Sequence, residues 1–321
     1  MKPVSDLKKF NILIVGDLML DSYLYGNIHR ISPEAPVPVL EKIKIENKPG
    51  GAANVALNVK SLGSDSILLG IIGDDNSGKI LIELLNEKEI DTENIITVEN
   101  RPTTVKTRIL SGSHHILRID EEEISDISTS EFQKLKHCFD TIIVKKSIDA
   151  VIIQDYNKGL LNKEFIIHII TQCIKKNIFI SVDPKYKNFN CYSGVRFFKP
   201  NLKEISEILN EKIKTDTDSL EQAANKLYEI MNYENLFITL GDKGIFFKNR
   251  YKTGIIPTKK KNVIDVSGAG DVVISAATIF FLHELEIEKI AELSNIAGGL
   301  ACDYLGVATI TKSQLLKAIT E

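Results

Sequence analysis

Two rhythms of hydrophobic and polar positions alternate along the 321-residue chain. Short apolar runs at 11–15, 66–72, 150–154, 179–182, 195–198 and 236–240 have the length and residue types of buried strands. Between them, residues 52–61, 163–175, 202–210 and 220–231 carry apolar positions at the spacing of a helix with one buried face. This alternation predicts an α/β fold: a doubly wound, mostly parallel sheet with helices on both faces.

Two regions break the pattern. Residues 22–48 hold Pro33, Pro36 and Pro38 among Val37, Val39, Leu40, Ile43 and Ile45, and residues 97–120 read as two strands around Ser111-Gly112-Ser113. Neither has helical spacing. Both suit a small β-sheet lid projecting over the strand C-terminal ends, where open α/β sheets bind ligands. The whole chain, 1–321, reads as one domain carrying that lid, without repeats or low-complexity segments.

Composition narrows the function. A hydrophobic content of 43% supports a large core, and a net charge of −3 gives no general attraction to nucleic acid or to anionic membranes. The short run Lys259-Lys260-Lys261 reads as a solvated loop. Cys138, Cys173, Cys191 and Cys302 have no CxxC spacing, which fits structural thiols in a reducing compartment. No stretch approaches the roughly 18 apolar residues of a membrane span, so the expected location is the cytoplasm.

The candidate chemistry begins at Asp265-Val266-Ser267-Gly268-Ala269-Gly270-Asp271, which leads into an apolar helical run. Small residues at Gly268, Ala269 and Gly270 let backbone N–H groups converge on an anion at a helix N-terminus. A carboxylate at Asp271 beside such an anion hole is placed to act as a base, an arrangement suited to phosphoryl transfer. The same residues also fit an ordinary turn with an acidic helix start.

Three further segments carry polar chemistry. Pro49-Gly50-Gly51-Ala52-Ala53-Asn54 opens a helix after consecutive glycines, so a polyhydroxylated ligand can approach main chain while Asn54 and, from the facing side, Asp21 bond its hydroxyls. Asn201 and Glu204 in Lys199-Pro200-Asn201-Leu202-Lys203-Glu204 lie one helical turn apart. That pair could hold hydrated magnesium over nucleotide phosphates, and its spacing is equally that of a capping box. Thr239-Leu240-Gly241-Asp242-Lys243-Gly244 ends a strand in a glycine turn that either borders a nucleotide or starts a hairpin. Gly73-Asp74-Asp75-Asn76-Ser77-Gly78-Lys79-Ile80 has phosphate-loop spacing, but Ile80 replaces the metal-binding hydroxyl, and it reads as a turn. The first strand is followed by Gly16-Asp17-Leu18-Met19-Leu20-Asp21, not by a dinucleotide-binding G-x-G-x-x-G.

Taken together, Gly50-Gly51-Ala52-Ala53-Asn54-Val55-Ala56 with Gly63 and Gly73, and Asp265 through Asp271, resemble the two signatures of the ribokinase-like, or PfkB, sugar kinases. The Asn201 and Thr239 segments fall between them in the family's order, so the resemblance covers essentially the whole chain. It implies a ribokinase-like domain with a β lid, often shared across a homodimer, that uses ATP and Mg²⁺. By this resemblance Asp271 is the base and Gly268, Ala269 and Gly270 form the anion hole. Asn201 and Glu204 organise Mg²⁺ through water, while Thr239, Gly241, Gly244 and Asn295 border ATP. Asp21, Gly50, Gly51 and Asn54 grip the sugar. Asp265 and Ser267 match positions that bind a monovalent cation such as K⁺ in some members.

Within the family, Gly16 through Tyr23, Arg30-Ile31-Ser32-Pro33-Glu34-Ala35-Pro36-Val37-Pro38-Val39 and Asp155-Tyr156-Asn157-Lys158-Gly159 resemble the D-glycero-β-D-manno-heptose 7-phosphate kinases. Those enzymes phosphorylate the anomeric oxygen on the way to ADP-heptose. A phosphorylated substrate needs cations, and Lys106, Arg108, Arg118 and Lys185 lie on segments that could converge, while Asp155 is a further substrate-binding candidate. Lys106 and Arg108 alternate on one lid strand and so share a face. Many such kinases are fused to a nucleotidyltransferase domain, and the kinase pattern closes shortly before Glu321, so a separate nucleotidyltransferase is expected downstream. Val272 follows the base where a hydroxyl residue is common, and His114-His115 stands where an uncharged polar pair is expected. A kinase for a fructose or tagatose phosphate, and a catalytically silent sugar sensor, remain as alternative readings.

Overall fold

A computed structural model describes residues 8–112, 114–258 and 263–320; Ser113 and the Lys259-Lys260-Lys261 run lie outside the described residues. Its centre is a nine-stranded sheet built from β1 (Asn11–Gly16), β4 (Asp65–Gly73), β5 (Ile95–Val98), β8 (Ala150–Gln154), β9 (Phe179–Asp183), β10 (Phe197–Phe198), β11 (Asn235–Thr239), β12 (Ile245–Asn249) and β13 (Thr253–Ile256). The strand order is β13-β12-β11-β10-β9-β8-β1-β4-β5. Pairing is parallel from β11 to β5, and only the β11–β12 and β12–β13 pairs are antiparallel.

Alternation along each strand divides the core into two layers. Ile12 and Ile14 of β1 face one layer and Leu13 and Val15 the other, and β8 divides in the same way between Ala150 and Ile152 on one side and Val151 and Ile153 on the other. The first layer packs α1 (Ala52–Ser61), α2 (Asn76–Glu87), α7 (Ala269–Leu282), α8 (Ile287–Ala301) and α9 (Lys312–Thr320). The second packs α3 (Thr129–Lys145), α4 (Lys163–Lys175), α5 (Leu202–Leu209) and α6 (Thr217–Met231). Helix α7 is buried from Asp271 through Phe280, which explains why its sequence is apolar on every side. No helix among the described residues is long and apolar enough to cross a membrane.

The lid is a four-stranded sheet of β2 (Leu18–Ile31), β3 (Pro38–Gly51), β6 (Thr104–Ser111) and β7 (His114–Glu121), in the order β3-β2-β6-β7. Its pairs are antiparallel except β2–β6, which is parallel. The lid differs from the 22–48 and 97–120 segments in two ways. Its hairpin runs from Leu18 to Gly51, because β2 leaves β1 after only Asp17, so the Gly50-Gly51 turn is the root of the lid as well as the start of α1. At the other segment, Thr97 and Val98 pair with Ile72 and Gly73 as the edge of the large sheet, and the lid begins at Thr104. The Gly73-to-Ile80 decoy is a capped helix start in which Asp75 Oδ1 accepts from Gly78 N at 2.7 Å.

Candidate active site

Asp271 occupies the first turn of α7 and is 2% exposed. The preceding Gly268 is the N-cap with φ +77°, and no side chain caps the helix, so its first N–H groups stay unclaimed by side chains. A β-carbon at Gly268 would lie 2.9 Å from Asn54 Nδ2. Glycine is required here both for the left-handed backbone and for the approach of Asn54.

Three of the described residues donate to the buried carboxylate. Asn54 Nδ2 on α1 donates to Asp271 Oδ2 at 2.8 Å; Gln154 Nε2, at the end of β8, and Tyr156 OH, just beyond it, donate to Oδ1 at 3.1 and 2.8 Å. Gln154 Nε2 also reaches Asp183 Oδ2 at 3.2 Å, which pairs with Lys199 Nζ at 2.9 Å. Burial pushes the Asp271 carboxyl up to about 7 and nearby Asp183 adds to the rise, while donation by Asn54 and Tyr156 opposes it. A carboxylate tuned in this way is a competent general base near neutral pH.

Asp271 and the Gly268-Ala269-Gly270 turn line a cavity of about 560 Å³ at the C-terminal end of the sheet. Its far wall carries Asn201, Thr239, Gly241, Gly244 and Asn295. Thr239 N donates to Pro200 O at 3.1 Å, placing Asn201 and Thr239 side by side on adjacent strand ends. Gly241 and Gly244 have positive φ and close the turn from β11 into the antiparallel β12, so that segment is both a hairpin and a cavity border. Asn295 Nδ2 donates to Pro257 O at 3.1 Å and so anchors the wall after β13. A larger open groove of about 760 Å³, lined by Tyr228 and Tyr251, lies at the opposite end of the sheet, where Asn235 begins β11.

Asn201 and Glu204 form a reciprocal capping box: Glu204 N donates to Asn201 Oδ1 at 2.9 Å, and Asn201 N to Glu204 Oε2 at 2.8 Å. Glu204 Oε1 is ion-paired with Lys185. Each carboxylate oxygen has two lone pairs, so a metal-bound water could still donate to Glu204 with the box intact. Capping and metal support are therefore compatible here.

Asp265 and Ser267 form a small loop of their own. Asp265 Oδ1 accepts from Ser267 N and Oγ at 2.9 and 2.8 Å, and Oδ2 accepts from Gly306 N at 2.8 Å. Burial alone would raise this carboxyl, but the Ser267 and Gly306 donors hold it below its usual range. His115 of the lid reaches to 3.8 Å from Asp265.

On the sugar side, Asp21 of β2 is buried and ion-paired with Arg108 of β6. A β-carbon at Gly50 would lie 2.1 Å from Asp21 Oδ2, so this glycine makes the room that Asp21 occupies. Gly51 is the N-cap of α1 with φ 59°. Lys106 Nζ sits 3.5 Å from Asp120 and 3.4 Å from Glu122, and Arg118 pairs with Asp120 at 2.8 Å. Lys106, Arg108 and Arg118 are thus each met by a lid carboxylate.

Two of the substrate-side residues lie elsewhere. Asp155 Oδ2 accepts from Tyr192 OH at 2.6 Å and Asn188 Nδ2 at 3.1 Å, with Oδ1 taking Asn157 N at 2.7 Å, so its carboxylate faces the second core layer. Lys185 lines the main cavity beside Glu204, apart from Lys106 and Arg108. Gln154, Tyr156, Asp183 and Lys199 escaped the sequence reading as site residues. Their signal was positional: each lies at or just past the C-terminal end of an apolar strand.

The pfkB family of carbohydrate kinases matches residues 9–314. The chain belongs to this family. It is 38% identical over 312 residues to the Bifunctional protein HldE of Sulfurimonas denitrificans, covering 96% of this chain and 64% of the relative. The Helicobacter pylori protein of the same name is 39% identical, with 95% of this chain and 65% of the relative covered. The chain thus spans less than two thirds of the length of these relatives. Among solved structures, Escherichia coli phosphofructokinase-2 in complex with substrates and products superposes with a TM-score of 0.80 at 20% identity, over 98% of this chain and 99% of that one. Arabidopsis thaliana ribokinase complexed with ribose and ATP gives 0.75 at 16%, over 98% and 100%. The ribokinase-like architecture and a sugar kinase activity follow from the family.

Proposed function

We propose that this pfkB kinase transfers the terminal phosphoryl group of ATP to the anomeric hydroxyl of D-glycero-β-D-manno-heptose 7-phosphate. The observation that carries the reading is Asp271: a buried carboxylate tuned toward neutral pH, beside an uncapped helix start on the same cavity. In this reading Asp271 takes the acceptor proton, and the N–H groups of Gly268 and Gly270 meet the charge on the phosphoryl in flight, joined by that of Ala269 once it leaves Val266 O, to which it donates at 3.2 Å. Asn201, Thr239, Gly241, Gly244 and Asn295 border the nucleotide. Mg²⁺, held through water by Glu204 and Asn201, would neutralise phosphate charge. Asp265 and Ser267 are the residues to which a K⁺ requirement would be traced.

The choice of heptose rests on the segments around Gly16, Arg30 and Asp155 that resemble heptose 7-phosphate kinases, and the similarity to proteins named HldE supports it. Asp21, Gly50, Gly51 and Asn54 hold the sugar, with Lys106 and Arg108 toward its phosphate. Lys185 is reassigned to the nucleotide side and Asp155 to the support of its own loop, as their partners favour. The product would pass to an adenylyl-transferring activity, in keeping with the relatives' description as bifunctional. Two copies would pair through their lids in the cytoplasm.

The test is Mg²⁺-dependent ADP release with heptose 7-phosphate, fructose phosphates, ribose or no sugar, followed by phosphorus NMR. Fast turnover with heptose 7-phosphate and a new anomeric phosphate is expected. Preference for a fructose phosphate would overturn the substrate, and sugar binding without turnover would favour the sensor.

A further inference from the structure

Oδ1 of Asp271 receives Tyr156 OH at 2.8 Å and Gln154 Nε2 at 3.1 Å, whereas Oδ2 receives Asn54 Nδ2 at 2.8 Å. A carboxylate oxygen offers two lone pairs. Oδ1 is therefore filled, and Oδ2 keeps one acceptor direction open. Tyr156 lines the same cavity as Asp271, so its phenol stands at the cavity wall beside the base.

The backbone of Tyr156 is itself held. Buried Asp17, between β1 and β2, accepts from Tyr156 N at 2.8 Å and Lys158 N at 3.1 Å through Oδ2. Its main chain bonds Gln154 O at 3.2 Å and takes Ala52 N, at the start of the helix that carries Asn54, at 3.0 Å. One residue thus fixes the mounts of all three donors to the base.

Resting on the reading of Asp271 as the base, we propose that Tyr156, anchored by Asp17, is a positioning residue that reserves Oδ2 of Asp271 for the acceptor proton. The phenol stays protonated, because burial and the neighbouring Asp271 and Asp183 carboxylates push its ionisation well above the usual range. It can therefore donate to Asp271 throughout the working pH range. The charged groups around the base and the phenol are Asp183 from β9, Lys199 ahead of α5, Lys185, whose Nζ lies 5.6 Å from the centre of the Tyr156 ring and pairs with Glu204, and Asp17 behind the Tyr156 backbone, whose carboxyl burial pushes up to about 7; α1 contributes the neutral Asn54. Of these donors and charges, the phenol is the one whose strength can be changed by a single atom.

The experiment is the pH profile of kcat/KM for wild type, for Tyr156→Phe and for enzyme carrying 3-fluorotyrosine in place of Tyr156, with Asp271→Asn as control. Losing a hydrogen bond to the ionised base raises its acid limb, expected to move up by about one pH unit in Tyr156→Phe. A more acidic phenol donates more strongly, so the fluorinated enzyme should move the limb down, with KM for ATP unchanged in both. A limb that stays in place in both variants, or a lower KM for sugar in Tyr156→Phe as though the phenol only blocked the acceptor's place, overturns the role given to Tyr156. Turnover retained by Asp271→Asn would instead sink the base assignment itself.

Discussion

Asn54 and Asp271 meet at 2.8 Å although 217 positions separate them in sequence, and the contact joins the start of α1 to the start of α7. The absence of a side chain at Gly268 makes the contact possible, since a β-carbon there would crowd Asn54 Nδ2 at 2.9 Å. Gly268→Ala should therefore cost roughly 1–2 kcal/mol for the left-handed backbone and also lower kcat by displacing Asn54. Gly112 of the lid turn also has positive φ, with nothing within 4 Å of its added β-carbon. Gly112→Ala should carry the stability cost alone. Equal kcat losses in the two variants, measured beside their thermal unfolding, would contradict this account.

Asp271 also sets a conflict between stability and catalysis. Its carboxyl holds a proton up to about 7 in the folded chain against a usual value of 3.8, so the folded state binds more protons than the unfolded state between those values. Stability contributed by this group falls as pH rises through that window, and the full cost is present above it. Asp271→Asn should abolish turnover by roughly 10²–10⁴-fold and still raise Tm, more at pH 8 than at pH 5. Calorimetry at the two pH values checks the sign. A Tm gain that does not depend on pH would mean that Asp271 ionises in the folded chain as it does in the unfolded one, so that burial does not raise its carboxyl.

Much of this was legible in the sequence, for identifiable reasons. The limits of α1 and α4 follow from apolar spacing and clear end signals, and β8 from an unbroken apolar run. The root of the lid was not legible, because β2 starts after a single residue and Gly16-Asp17 marks a strand end without showing that the chain passes at once into another sheet. Asn201 and Glu204 could be paired from spacing alone, but not their link to Lys185, which depends on how β9 and α5 meet. Asp155 and Tyr156 show the limit most clearly. They are adjacent, yet one bonds Tyr192 on the second core layer and the other bonds Asp271, and only the strand's exit direction decides which.

Arg108 and Asp21 provide a separable test of the sugar side. Burial raises the Asp21 carboxyl, and the Arg108 charge opposes that rise. Arg108→Ala would leave a buried carboxylate without its partner, costing about 3–5 kcal/mol and raising KM for the phosphorylated sugar. Adding Asp21→Asn should recover much of the stability while KM stays high. If both quantities recover together, Arg108 serves the fold and not the substrate. Denaturation and steady-state kinetics on the same preparations separate these outcomes.

Lid pairing has its own signature. Leu117 and Ile119 alternate on one face of β7 and are 56% and 44% exposed, while Ile43 and Ile45 on β3, the opposite edge of the lid, are 63% and 47% exposed. Apolar residues gathered at both edges of a small sheet favour burial against a second copy. A charge introduced by Leu117→Asp or Ile119→Asp would have to be desolvated on pairing, so each should weaken self-association by at least about tenfold. Neither position touches the main cavity, so ATP binding should persist in the separated chains. Sedimentation velocity over a range of concentrations reads the change directly, and a wild-type chain that stays monomeric at micromolar concentration would remove the lid as a dimer surface.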